Sequence, residues 1–287
     1  MNKMVLGRTD TPYYNETVAE KFSFPNQERL SVVVATILLA FAITQFIKIP
    51  EGSSYISLAG FLIPLNFNLS TIVTVAIAGM TASGTDWILR DHPELKGRST
   101  IPHLLLPAIT AWVQSVILNN VSDTPFKWVI FTFGGIFLLV VILAEYIVIF
   151  TKDLRRPIAI GILTSLLYSI ILALSVALAS TNQRLIISLP ALGLGAFVLG
   201  LRAFQLNLPQ EWPIIPSLAC MLVISQLATA LHYLPITPLS YGLILFGALY
   251  FMINLTINNE QGTPLTRAVI EGFIPLFIIW LVAIWIN

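Results

Sequence analysis

Hydrophobic runs set the pattern of this chain, and charged residues fall mostly between them. Residues 157–183 and 212–259 carry no Asp, Glu, Lys or Arg. About 20 apolar residues in a helix cross a hydrocarbon core of about 30 Å. The first run is long enough for one span and the second for two. Read this way, the sequence predicts nine spans: 30–48, 70–89, 100–120, 127–150, 157–181, 184–204, 212–234, 238–258 and 264–286. The expected fold is an all-α, polytopic transmembrane bundle. It has a cytoplasmic N-terminal segment at 1–29 and one helical domain over 30–287.

Local signals mark several span starts. Thr100 is placed to cap a helix with Pro102 in its first turn, and Thr263-Pro264 repeats the pattern. Pro157 and Pro213 also fall in first turns, where a missing N–H is harmless. The stretch 233–240, "YLPITPLS", must turn tightly between two spans. Within residues 53–69, "SSYISLAGFLIPLNFNL", the run "PLNFNL" alternates apolar and polar positions, "YISL" does so more weakly, and Gly60 and Pro64 interrupt the stretch. That pattern predicts an extended hairpin on the outer membrane surface, with a short re-entrant segment as the competing reading.

Composition agrees with the membrane reading, since 56% of the 287 residues are hydrophobic and 10% charged. A soluble domain carries roughly 25% charged residues. The net charge of +1 gives no basic field for nucleic acid. Cys220 is the single cysteine, so no internal disulfide or zinc-type Cys/His spacing exists. No phosphate loop, metal-binding helix or dinucleotide motif occurs, and neither a metal nor a cofactor is expected. The partner that this composition does require is the lipid bilayer. With the N-terminus in the cytoplasm, 12 Lys and Arg fall on the inner side and 3 on the outer side. The positive-inside rule therefore puts the C-terminus outside, and the expected location is the cell's inner membrane.

Ionisable groups inside the spans carry any chemistry, because each costs about 2.5–3.5 kcal/mol at a helix centre. Asp86, His103, Glu145, Arg202 and Glu271 all fall in the expected inner half, and only His232 lies toward the outer face. Asp86 has Arg90 four residues on, in the favourable order, and can end a helix or line a site. Glu145 has no basic residue three or four positions away, so its partner must come from another helix or from water. His103 and Glu271 each precede a proline by four residues (Pro107, Pro275), which frees their own carbonyls. Arg202 reads most simply as an anchor reaching the inner interface.

Polar stripes follow at helical spacing in His103, Pro107, Thr110 and Gln114, and in Gln226, Thr229 and Tyr233. Small residues at four-residue spacing (Gly79 with Ser83, Ala78 with Ala82, Ala191 with Gly195, Ala196 with Gly200) predict close helix contacts. The expectation is one polar pocket near the cytoplasmic face, lined by Asp86, His103 and Glu145 with Glu271 or Arg202 contributing. Three classes of function fit: a transporter or permease acting on a small solute, a non-catalytic subunit bound to another membrane protein, or an enzyme acting on a lipid or polyprenyl headgroup. The oligomeric state is not legible in the sequence.

Overall fold

The computed structural model describes residues 25–46, 54–58, 61–65, 69–90, 92–95, 99–121, 124–150, 154–181, 184–208 and 212–287. The expected cytoplasmic segment 1–29 therefore lies almost wholly outside the described residues. Among them are nine helices, each long and apolar enough to cross a membrane. They are α1 (Gln27–Phe46), α2 (Leu69–Leu89), α3 (Ile101–Asn120), α4 (Pro125–Val148), α5 (Arg156–Ser180), α6 (Leu185–Asn207), α7 (Ile214–His232), α8 (Pro238–Glu260) and α9 (Leu265–Ile286). Between α1 and α2, strands β1 (Ser54–Leu58) and β2 (Phe61–Leu65) pair antiparallel, with Ile56 opposite Ile63.

Helix ends follow local chemistry, though two differ from expectation. Thr100 takes the position before α3, but its hydroxyl bonds the Asp86 carboxylate instead of a backbone N–H. Thr263 does not cap α9, which starts after Pro264. It completes the end of α8 instead. The Thr263 N–H reaches the Asn258 carbonyl and the Gly262 N–H reaches that of Asn259. Gly262 sits at φ +78°, as this closing motif requires. Between α7 and α8, Thr237 caps the new helix by accepting from the Ser240 N–H at 3.2 Å, so the tight turn forms.

Two apolar clusters make up the core. One runs through α3 to α8 and includes Leu163, Leu167, Ile171, Leu199 and Leu245. The other joins α1 to α4 through Ile37, Phe41, Leu138 and Ile142. Helix α3 is central, packing against α2, α4, α5 and α6, while the last helix, α9, packs mainly on α8. Because successive helices alternate in direction, the end of α2, start of α3, end of α4 and end of α6 share one end of the bundle. This is called the proximal end below, and the opposite one the distal end.

Which face of a helix packs differs in part from expectation. Gly79 and Ser83 are exposed, and the buried face of α2 carries Thr74, Ile77, Thr81, Thr85 and Ile88. Thr81 and Thr85 back-bond to Ile77 and Thr81 carbonyls, so their hydroxyls need no outside partner. The small residue in close contact on this helix is Gly84, where a Cβ would meet Val33 at 2.6 Å. On α6 the small residues do face neighbours: a Cβ at Gly195 would meet Leu174 at 2.9 Å, and one at Gly200 would meet Cys220 at 3.5 Å.

Candidate functional site

Three of the five expected site residues meet at the proximal end. His103 stands in the first turn of α3, Glu145 in the last turn of α4 and Arg202 in the penultimate turn of α6. Arg202 Nε donates to Glu145 Oε1 at 2.8 Å, and its Nη2 donates to Oε2. The guanidinium thus grips the carboxylate with two parallel bonds, the geometry for which arginine is preferred over lysine. His103 Nδ1 lies 2.9 Å from Glu145 Oε2 and 3.1 Å from Arg202 Nη2. Glu145 is fully buried, Arg202 is 3% exposed and the His103 side chain is 19% exposed.

Sequence logic accounts for part of this arrangement. Glu145 cannot pair along its own helix, and a carboxylate out of water must be paired. Helices α4 and α6 both pack on α3, and the long side chain of Arg202 reaches Glu145 from α6. Expected as an interfacial anchor, Arg202 is instead a buried ion-pair partner. His103 brings α3 into the same contact, so one carboxylate ties three helices together.

The contacts of His103 make opposite demands on one atom. Glu145 favours a proton on Nδ1, whereas Arg202 favours a lone pair there. Nε2 has no protein partner among the described residues, which leaves the imidazole as the accessible member of the triad. Ring protonation would strengthen the bond to Glu145 and oppose Arg202, while the carboxylate and guanidinium neutralise each other. The accessible Nε2 edge of the ring can therefore hydrogen-bond a group that enters the site.

Asp86 and Glu271 stand apart from this triad. Asp86 accepts from Arg90 Nε and Nη2, both at 2.7 Å, and from the Thr100 hydroxyl at 2.6 Å. It ends α2 and fastens the connection to α3, one turn before His103. Glu271 pairs with Arg267 at 2.7 Å on the exposed flank of α9 and accepts from Asn258 Nδ2 at 3.4 Å. The polar stripes do not form a path either. Gln114 donates across to the Phe131 carbonyl of α4 at 3.3 Å, and Thr110 bonds back to Leu106. Gln226 and Tyr233 are exposed.

Sequence reading missed His92. It lies in the α2–α3 connection, where no helical spacing singles it out, yet it is fully buried. Its ring meets Tyr146 at 4.7 Å and Phe150 at 4.1 Å, and Nδ1 accepts from the Glu94 N–H at 3.2 Å. Nε2 is buried without a partner. Burial pushes its pKa down to about 4; Glu94 opposes the shift and the nearby His103 adds to it. His92 is therefore a neutral imidazole packed on Tyr146 and Phe150 at the end of α4, near His103. Its available signal was the aromatic pair Tyr146 and Phe150, one turn apart next to a lone acid.

Nine membrane-length helices with a buried carboxylate–guanidinium–imidazole triad define a multi-pass helical membrane protein. Within that class, the chain belongs to the family described as "Protein of unknown function (DUF5656)", which matches residues 49–286. Helix α1 precedes the matched stretch, whereas all three triad residues lie inside it. No curated protein and no solved structure matches the chain.

Proposed function

We propose that the protein is a transporter- or permease-like protein of the inner membrane, with the His103–Glu145–Arg202 triad as a proton-responsive site in the cytoplasmic half. One observation carries this reading: His103 Nδ1 is held within hydrogen-bond distance of both a carboxylate and a guanidinium, at 2.9 and 3.1 Å. A proton on that atom changes which contact is favourable, and so changes how α3, α4 and α6 are tied. Transport needs an element whose two arrangements are biased by ion or solute binding. The 12:3 charge split supports a cytoplasmic N-terminus, an outside C-terminus and an outer position for the β1–β2 hairpin.

The test is proton and solute flux in proteoliposomes containing a trapped pH-sensitive dye. Wild type should dissipate an imposed pH gradient when a panel of small solutes is supplied, and Glu145→Gln should lose at least about nine-tenths of that rate. Arg90→Gln breaks only an exposed pair and should leave it intact. Flux no different from protein-free vesicles across the panel would defeat the proposal. A second reading, a non-catalytic subunit of a membrane complex, draws support from the saturation of Glu145 by Arg202 and His103 inside a packed bundle. In that case Glu145→Gln changes stability and no flux is seen.

A further inference from the structure

We infer that Arg156, at the start of α5, binds the phosphate of an anionic phospholipid at the proximal end, in a site independent of the triad. Its Nε is buried and has no hydrogen-bond partner among the described residues. A guanidinium stays charged in a protein and carries only donors, so a buried N–H of this group calls for an acceptor. Other described arginines at this end have their needs met. Arg90 pairs with Asp86, Arg202 with Glu145 and Arg267 with Glu271, while Arg29 lies over the Trp87 ring. Among the described residues, no carboxylate pairs with Arg156.

Helix geometry puts this side chain at the edge of the packed bundle. Ala159, Leu163 and Leu167 follow it at helical spacing and are buried, so Arg156 extends the inward stripe of α5 by one turn. Leu154 and Ile158, on either side of it in the sequence, are 88% and 65% exposed, and Ile162 continues that outer face. The guanidinium therefore stands where the packed face of α5 meets its lipid-facing one. Helix side chains tilt toward the N-terminus, which carries this one away from the apolar core and toward headgroup level. Arg156 is partly exposed overall, although its Nε is enclosed.

Charge and position together choose the occupant. The acceptors that match a guanidinium fork are carboxylate and phosphate oxygens. In a membrane protein, an outer face of Leu and Ile is covered by acyl chains, and at the end of such a face the group within reach is the lipid phosphate. A lipid of net negative charge is favoured over a zwitterionic one, because no described carboxylate neutralises the guanidinium and a zwitterion's own ammonium competes for its phosphate. Asp153 is the rival acceptor: it stands three residues before Arg156 in the sequence and lies outside the described residues.

The test is native mass spectrometry of the full chain in detergent micelles titrated with phosphatidylglycerol. A first lipid should bind saturably, and Arg156→Gln should weaken that step at least about tenfold, as loss of a hydrogen bond to a charged group does. Arg267→Gln removes an equal charge from an exposed pair and should change it less than about twofold. Near-native melting of each variant in the same micelles guards against misfolding. No saturable binding by wild type, or equal binding by Arg156→Gln, leaves Arg156 an interfacial anchor and overturns the inference. Equal weakening by Arg267→Gln means general charge attraction and also overturns it. Asp153→Asn should leave the affinity unchanged; a gain beyond about twofold would show Asp153 holding the guanidinium in wild type, against the inference. Phosphatidylcholine binding as tightly overturns the anionic assignment. Inorganic phosphate in large excess should not displace the lipid, and displacement would make free phosphate the ligand and overturn the lipid assignment.

Discussion

Replacing Glu145 by leucine should be among the most damaging single changes in the proximal half. Arg202 is 3% exposed, and its fork donates to the two oxygens of one carboxylate. Without Glu145, the described groups leave that guanidinium only His103 Nδ1 as acceptor. Removing one partner of a buried ion pair costs about 3–5 kcal/mol, because the other charge stays desolvated and unpaired. Glu145→Gln keeps one acceptor oxygen and should cost about 1–3 kcal/mol. Arg202→Met strands the carboxylate, although a protonated His103 can partly neutralise it, so about 3 kcal/mol is expected. The double variant Glu145→Leu, Arg202→Met replaces two charges by apolar groups of similar volume. It should recover to within about 1 kcal/mol of wild type, a coupling of several kcal/mol. Reversible unfolding in mixed micelles, followed by tryptophan fluorescence as the denaturing detergent fraction rises, measures all four variants against wild type. Single variants within about 0.5 kcal/mol of wild type, or a double variant equal to the sum of the singles, would refute the buried-pair geometry.

Three further outcomes follow from particular residues. His92, with its pKa lowered to about 4 against an unfolded value of 6.5, binds its proton more readily in the unfolded chain. Its contribution is therefore complete above about pH 6.5 and is lost as pH falls toward 4; His92→Phe should flatten stability over that window, and a slope identical to wild type would count against the buried, uncharged ring. In a Cys220→Ala background, cysteines at Lys96 and Asn287 should label from opposite sides of the membrane with an impermeant maleimide, and labelling of both from one side would remove the proposed orientation. Gly134→Ala should destabilise by about 1–3 kcal/mol, because the Gln114 amide occupies the space of the new Cβ. Adding Gln114→Ala should restore most of that loss in the same unfolding assay, and no restoration would mean that the amide is not what limits the space.

The spans were legible because the solvent imposes them. A charge-free run of about 20 residues has few alternatives to a membrane helix, and the observed helices fall within a few residues of the expected ones. Rotation about each helix axis was much less legible. Lipid and protein interior are both apolar, so hydropathy does not say which face packs. The four-residue rhythm of Gly79 and Ser83 therefore looked like a contact face, while the contact was made by Gly84 against Val33 and by threonines whose hydroxyls bond their own helix.

The same limit explains the triad. An acid without a local base told the reader that Glu145 needed a partner, but Arg202 lies 57 residues later and its role depends on which way α6 turns. Asp86 had a base at four residues and uses it; Glu271 does the same with Arg267. Local pairing thus separated the helix-end carboxylates from the buried one better than depth did. For a chain of this kind, the absence of a nearby opposite charge points to the groups that tie helices together.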